Sequence, residues 1–419
     1  MRVTIAGINA APEPTGIAPY TSGLARGLAR SGDEVRLVTG YPHYPQWQIQ
    51  PGYRGLTIRE RTDGVHVTRV RHTVPASPRL LNRLLMEVTF GLRAAFSNWG
   101  RPEALVVVSP ALFSSAIAVA RARLTGVPTY VWIQDIYSLG ISETGRGGGA
   151  AAAFLKRVER WTIRGGKGVV VIHERFKRYL VDELGIDADS ITVVRNWTHI
   201  SASPRRDRSE VRAERGWSHD EVVVLHAGNM GAKQGLENVV AASHLAAKAH
   251  SRVRFVMLGD GNQRERLVSL GGNDRLEYLA PLPDDDFLDT LAAADVLLVN
   301  ERPGLTEMCV PSKLTSYFST GLPVIAATDA TSITSEELAL SGAGIRVDAG
   351  DPQALLNAAE QLASDPAGGE RFGRSGLEFT SRHLAAESAI RRFASLLHGD
   401  ASERILDDLT GVGDENPPR

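Results

Sequence analysis

The sequence contains a single cysteine, Cys309, so no internal disulfide can form and a small disulfide-stapled scaffold is excluded. It also lacks a long apolar run. The longest weakly polar stretch, Ala104–Ala120, is broken by Ser109, Pro110, Ser114 and Ser115 and reads as a strand turning into a helix, not a membrane span. The first residues, MRVTIAGINAAPEP, have no signal-peptide core and read as a strand entering a loop, so the expected location is the cytoplasm or the cytoplasmic face of the cell membrane. Net charge is nearly absent, with 47 basic against 48 acidic residues. Disorder as the main state is excluded by 43% hydrophobic and 23% charged residues, and 419 residues suit two or three domains.

The charge is unevenly spread. Residues 1–200 hold 25 Lys+Arg and 15 Asp+Glu, a net of +10, which leaves 22 against 33, a net of −11, for residues 201–419. That asymmetry suggests an anionic partner for the first half only. Nine arginines lie between Arg54 and Arg101, against Glu60, Asp63 and Glu87. Within them, Pro78–Arg93 places Leu80, Leu81, Leu84, Leu85, Val88 and Leu92 on one helical face. A basic amphipathic helix suits an anionic membrane surface, and the same pattern also fits a helix packed on its own domain. No nucleic-acid partner is expected.

The order of patterns is regular. Arg2–Ile8 is β-rich and apolar, and a loop with Pro12, Pro14 and Gly16 follows; Ile17, Tyr20, Leu24 and Leu28 then form a helical stripe closed by Gly32, before the strand Val35–Thr39. This βαβ rhythm implies a parallel sheet, and it returns at Leu105–Ser109, Thr129–Gln134, Gly168–Ile172 and Ile191–Val194. Polar, arginine-rich Ser201–Arg215 reads as a linker. The rhythm restarts with Val222–Ala227, a glycine-rich turn, a helix from Leu236 to about His250, and strands at Val253–Leu258, Leu276–Leu279, Val296–Val299 and Pro323–Ala326. The last amphipathic helix is Ala385–Leu397. The expected architecture is two doubly wound α/β domains with a ligand cleft at the carboxyl ends of their strands.

Three stretches carry the chemistry. His226–Glu237 (HAGNMGAKQGLE) puts Gly228, Gly231 and Gly235 between a buried strand and a helix start, where backbone amides and Lys233 suit an anion such as a diphosphate. Val310–Ala326 starts a helix at Pro311–Ser312 that carries Lys313 and ends at Gly321, and Met257–Asn262 (MLGDGN) is a strand end with two glycines. Other chemistries find no support. The first strand is not followed by G-x-G-x-x-G and the second ends in Thr39-Gly40 where a dinucleotide site needs an acid. There is no H-E-x-x-H, no D-x-D at a strand end and no G-x-S-x-G, so no metal and no hydrolase elbow are expected; Asp284–Asp286 reads as a helix cap.

In this order and spacing, the three stretches resemble the C-terminal donor domain of family 4 retaining glycosyltransferases with the GT-B fold. Thr15–Thr39 (TGIAPYTSGLARGLARSGDEVRLVT) is similar to that family's first loop, helix and second strand, so the resemblance covers nearly the whole chain. YPHYPQW (Tyr41–Trp47) and VRNWTHI (Val194–Ile200) are similar to the branch that builds bacterial exopolysaccharides of the colanic-acid type. The resemblance implies two Rossmann-like doubly wound parallel-sheet domains facing a central cleft. Residues 1–200 would bind acceptor and 201–384 the nucleotide sugar, with a helix at 385–400 packing back on the first domain and a tail at 401–419.

The resemblance also implies roles. Gly16 closes on the donor phosphates; Gly228, Asn229, Gly231 and Gln234 contact the diphosphate with Lys233; Gly259, Gly261 and Leu279 lie near the base. Pro311, Ser312, Lys313 and Leu314 meet the sugar and distal phosphate, Ser316 lies on the donor side, and Asp135 orients the acceptor hydroxyl unless it is a helix cap. Tyr44, Trp47 and Trp197 are candidates to stack on sugar faces, and His173 faces the ligand or caps a helix. Aligned on Gly235, the family's usual Arg and Lys fall on Asn229 and Gln234; counted back from Gly321, its glutamate pair falls on Met308 and Ser316, with Glu307 and Glu301 as candidate substitutes for the ribose contact. The implied function is metal-independent, cofactor-free transfer of a sugar from a nucleotide diphosphate sugar to a lipid-linked or other saccharide acceptor. The rivals are a non-hydrolysing sugar-nucleotide epimerase and a silent sugar-nucleotide-binding partner of a polysaccharide complex.

Overall fold

The computed structural model describes residues 1–14, 16–76, 80–138, 149–198, 206–305 and 312–399. The chain divides into two compact units, one made of Met1–Asn196 with the stretch from Ala386 on, the other of Trp197–Ala385.

The first unit holds β1 (Arg2–Ala6), β2 (Glu34–Gly40), β3 (Thr57–Thr62), β4 (Val65–Val70), β5 (Ala104–Ser109), β6 (Thr129–Ile133), β7 (Gly168–Val171) and β8 (Ile191–Val193). They form one sheet in the order β3-β4-β2-β1-β5-β6-β7-β8. Only β3 runs antiparallel to its neighbour. Central strands such as β5 (ALVVVS) are buried on both faces, which is why they read as unbroken apolar runs. The strand order reverses at β1, with β2 on one side and β5 on the other, so the loop after β1 opens at a topological switch point.

The second unit repeats this plan with β9 (Val222–Ala227), β10 (Val253–Leu258), β11 (Leu276–Leu279), β12 (Val296–Asn300), β13 (Val324–Ala327) and β14 (Gly344–Val347), ordered β11-β10-β9-β12-β13-β14. All are parallel, and the order reverses at β9, between β10 and β12. Two apolar clusters cover the two faces of this sheet, one built around Phe255, Met257 and Leu298, the other around Val256, Leu297 and Tyr317.

Several local expectations change. The β3–β4 hairpin lies inside the arginine-rich stretch read from charge alone. Strand β3 (TIRERT) is an exposed edge, and its charges discourage pairing with another chain. Arg69 is buried, donates to Glu60 Oε1 at 2.8 Å and lies over the Tyr53 ring, so it belongs to the fold and not to a free basic surface. In the expected linker, Arg208–Arg215 is a helix capped by the Asp207 carboxylate and by Gly216 in the left-handed region; Ser201–Arg205 lie outside the described residues. Arg212 is buried there and donates to Ala293 O, Ser218 O and Glu221 O while pairing with Asp295. The acidic run forms the first turn of the helix Asp284–Ala293, with Pro283 at the cap position.

The last described helix, Ala386–His398, packs within the first unit. Phe393 meets Trp132 edge-on at 4.8 Å, and His398 Nε2 lies 3.0 Å from Asp33, which also binds the amino terminus at 2.6 Å. A Cβ at Gly27 would lie 2.4 Å from Ile390 Cδ1, so helix Ala18–Arg30 needs glycine there to admit this neighbour.

Helix Leu80–Ala95 is apolar on two sides. Met86, Phe90 and Ala94 are buried, and a Cβ at Gly91 would lie 2.7 Å from Ser114 Cα, so the helix sits hard against helix Leu112–Thr125. Glu87 is buried with them and accepts the Phe113 amide at 3.0 Å, at the start of that second helix. On the other side Leu81, Leu85 and Leu92 are exposed, and Phe96, just past the helix end, is 89% exposed.

Candidate active site

Glycines are needed where β9 ends because three backbone segments nearly touch. Gly259, after β10, has φ +137°, and a Cβ on it would lie 2.1 Å from Gly228 O. Gly261, at φ +156°, would place a Cβ 2.5 Å from Met230 O. Only glycine permits this approach at these angles. The segments are stitched together by Gly228 N→Leu258 O, Met230 N→Asp260 O and Gly259 N→Leu279 O, at 2.8, 2.8 and 3.0 Å. The expected residues Gly228, Asn229, Gly231, Gly259, Gly261 and Leu279 are therefore brought together, Leu279 through its carbonyl.

Lys313 joins them. It is half-buried on helix Ser312–Phe318, and its Cε lies 3.1 Å from the position a Cβ on Gly228 would take. Its charge helps hold buried His226 neutral, with a pKa pushed down to about 3 chiefly by burial. It also acts on Glu301, just past β12, whose carboxyl is pushed up by burial against the pull of Thr328, Thr334 and Lys313. Thr334 donates to one Glu301 oxygen at 2.6 Å and Thr328 to the other. The carboxylate considered for the ribose is thus already engaged on both oxygens.

The remaining donor residues separate. Lys233 is exposed on the short turn Ala232–Gln234, and no described carboxylate pairs with it. Gln234 Oε1 receives the Gly231 amide at 3.1 Å, so that amide is taken by the chain itself, against the expectation that it faces a ligand. Leu314 is 3% exposed, and its side chain belongs to the core. Ser316 is half-buried on the same helix. Glu307, Met308 and Pro311 lie outside the described residues, as does the side chain of Ser312.

Two residues that sequence reasoning missed hold this half of the site. Asn300 Nδ2 donates to Gln234 O and Gly235 O at 2.7 and 3.0 Å, and Asn238 donates to its oxygen at 2.9 Å, so the glycine-rich turn is pinned from β12. Tyr317 is fully buried, and its hydroxyl accepts the Ala227 amide at 2.9 Å. A polar residue ending the apolar strand VLLVN was the available signal for Asn300; nothing in the sequence marked Tyr317.

In the first unit, Glu13 organises the loops after β1 and β2. Its buried carboxylate accepts the amides of His43 and Tyr44 at 2.7 and 2.9 Å and the Asn9 side chain at 2.8 Å, and His43 Nδ1 lies 3.3 Å away. Gly16, at φ +68°, lies against the Tyr44 ring, and Trp47 packs edge-on to Tyr44 and His43 at 5.9 and 6.2 Å. Trp47 holds φ +54°, a costly region for an aromatic residue that surrounding structure must enforce. Gly16, Tyr44 and Trp47 are thus assembled by a glutamate that the sequence reading passed over. Trp197 is buried, as core packing requires.

Asp135 lies half-buried just beyond β6. The nearby amides of Tyr137 and Ser138 are accepted by Glu159, at 2.8 and 3.3 Å, so Glu159 takes the capping role at that point. His173 is buried and caps helix Glu174–Asp182, its Nδ1 accepting the Arg175 amide at 3.1 Å; this favours the capping reading over a ligand contact. Among the described residues, no three His, Cys, Asp or Glu side chains converge as a metal site would need.

Two switch-point sheets, with a glycine-lined, lysine-bearing turn in the second, define a class. Residues 15–197 match the glycosyl transferase 4-like domain and residues 221–365 match glycosyl transferases group 1. The chain is a group 1 glycosyltransferase with the GT-B fold. It is 29% identical, over 95% of its length and 100% of the relative's, to the colanic acid biosynthesis glycosyl transferase WcaI of Escherichia coli. Among solved structures it is similar to sucrose-phosphate synthase from Thermosynechococcus elongatus, with a TM-score of 0.75 at 18% identity over 95% of this chain and 98% of that one. Anabaena HepE, solved with UDP and glucose, has a TM-score of 0.67 at 16% identity over 95% and 99% of the two chains.

Proposed function

We propose that the protein transfers a sugar, with retention and without a metal, from a nucleotide diphosphate sugar to a saccharide acceptor in polysaccharide or glycolipid biosynthesis. The observation that carries this reading is Lys313 set against Gly228, where the Gly259 backbone also closes in. Charge develops on the leaving diphosphate as the glycosidic bond breaks, and a preplaced cation stabilises it. Lys313 supplies that charge from within the fold, and exposed Lys233, on the turn Ala232–Gln234, adds a second cation. The solved relative that holds UDP and glucose supports a uridine nucleotide as the first donor to test. The acceptor hydroxyl attacks from the face the diphosphate leaves and passes its proton to the departing diphosphate oxygen, so no dedicated base is needed; Asp135 orients it.

The acceptor is lipid-linked in this reading, and the first unit docks on the cytoplasmic face of an anionic membrane. No described helix is long and apolar enough to cross a bilayer. The support for docking is the exposed row Leu81, Leu85, Leu92 and Phe96 beside Arg83 and Arg93, in a half whose net charge is +10. Arg79, also expected there, lies outside the described residues.

Turnover of a panel of UDP- and GDP-sugars, with and without polyprenyl-diphosphate saccharides, tests the reading. Acceptor-dependent release of nucleotide, an unchanged anomeric configuration in the product and full activity in EDTA are expected. An inverted product or activity abolished by EDTA would refute the retaining or the metal-independent part. Conversion of the nucleotide sugar to its epimer without acceptor would replace the reading with the epimerase alternative.

A further inference from the structure

A cavity of about 980 Å³ near the first unit's loops is walled by Trp47, Arg71, His72, Thr89 and Arg93. They reach it from three parts of the chain. Trp47 comes from the loop after β2, Arg71 and His72 from the stretch after β4, and Arg93 from helix Leu80–Ala95. The wall is fixed, because the Thr73 amide donates to Thr89 Oγ1 at 3.1 Å and ties the β4 exit to the helix. Arg71 and Arg93 are both exposed, and no described carboxylate pairs with either. Both line this one cavity, and both act on the buried Tyr41 hydroxyl, which donates to Arg54 O at 2.8 Å.

Arg93 also borders a second cavity of about 550 Å³, whose wall includes Arg59, Leu92 and Phe96. One guanidinium thus stands between an aromatic, polar bowl and an exposed apolar strip. His72 lines the bowl but stays uncharged, with a pKa lowered to about 3 by burial and by His43. The fixed positive charge is therefore that of the arginines.

We infer that this bowl seats an acceptor that carries an oxyanion, phosphate or carboxylate, on Arg71 and Arg93, with a sugar ring against Trp47. The inference rests on the transferase reading above and names the chemistry of its acceptor. A planar guanidinium pairs with such an anion through two parallel hydrogen bonds. The anion has two possible sources. It is the diphosphate of a lipid carrier, whose chain then leaves over Leu92 and Phe96, or it is the carboxylate of an acidic sugar.

Calorimetry with small soluble probes separates these without involving a membrane. Saturating UDP is present throughout, to occupy the diphosphate site at Gly228 and Lys313. Geranyl diphosphate, geraniol, methyl glucuronide and methyl glucoside are titrated into the full chain and into Arg71→Gln and Arg93→Gln, whose exposed positions spare the fold. The expected result is binding of geranyl diphosphate but not geraniol, weakened about ten-fold or more by each substitution. The same preference for methyl glucuronide over methyl glucoside would place the anion on the sugar instead. Charged probes that bind no better than their neutral partners, or binding that survives both substitutions, would overturn the inference. UDP affinity, measured first, is independent of the bowl: its absence would count against the transferase reading, while the arginine dependence still decides the pocket.

Discussion

Replacing Glu87 by glutamine is expected to stabilise the first unit, and to do so more at high pH than at low. The Glu87 carboxyl is 1% exposed, between helix Leu80–Ala95 and the start of helix Leu112–Thr125. Burial raises its pKa from 4.5 to about 7, against the Phe113 amide and Arg83, which both lower it. The folded chain therefore binds this proton more tightly than the unfolded chain, and stability falls as pH rises from the unfolded value to the folded one. At pH 5, where the folded carboxyl is protonated, its burial costs less than about 1 kcal/mol; at pH 8, where it is charged, the cost is about 3 kcal/mol, from roughly 1.4 kcal/mol per pKa unit. Glutamine keeps an oxygen for the Phe113 amide and has no charge to bury. Hydrogen exchange of the peptide spanning Leu80–Ala95 reads this unit alone, and comparing the two proteins at each pH cancels intrinsic exchange. A gain from Glu87→Gln that is about 2 kcal/mol larger at pH 8 than at pH 5 is expected. An equal difference at both would show that Glu87 ionises freely in the folded protein.

Three further outcomes follow from the site. Gly231→Val would set a Cβ 2.8 Å from Asn229 Nδ2 and 2.9 Å from Gln234 Oε1, so UDP affinity by calorimetry should fall about ten-fold or more while the melting temperature holds. Wild-type affinity would remove this turn from the donor site. Lys313→Met should lower kcat about a hundred-fold, as loss of one preplaced charge-stabilising group does, and undiminished turnover would take Lys313 out of the mechanism. Leu81→Glu with Leu85→Glu should abolish flotation with anionic liposomes even at low salt, whereas added salt alone should only weaken the wild type. A wild-type protein that ignores such liposomes would leave the exposed row without a membrane role.

The strand–helix rhythm was legible in the sequence because parallel strands buried on both faces must be apolar along nearly their whole length, as ALVVVS and VLLVN are up to their last residue. The glycines at 228, 259 and 261 were legible too, since close backbone approach leaves no alternative residue. Other features depend on neighbours distant in sequence. Strand β3 is polar and exposed, so it carried no hydrophobic period, and only pairing with β4 makes it a strand. Leu314 and Lys313 are adjacent in the chain, but helix packing sends one into the core and the other to Gly228. Composition grouped Arg69, Arg71 and Arg93 as one basic cluster; the fold buries the first against Glu60 and leaves the other two facing a cavity. Sequence fixes which side chains are available and the period of their burial. Which charges are neutralised, and which backbone amides and carbonyls are already taken, is decided by contacts across tens of residues, such as Glu13 with the His43 amide and Asn300 with the Gly235 carbonyl.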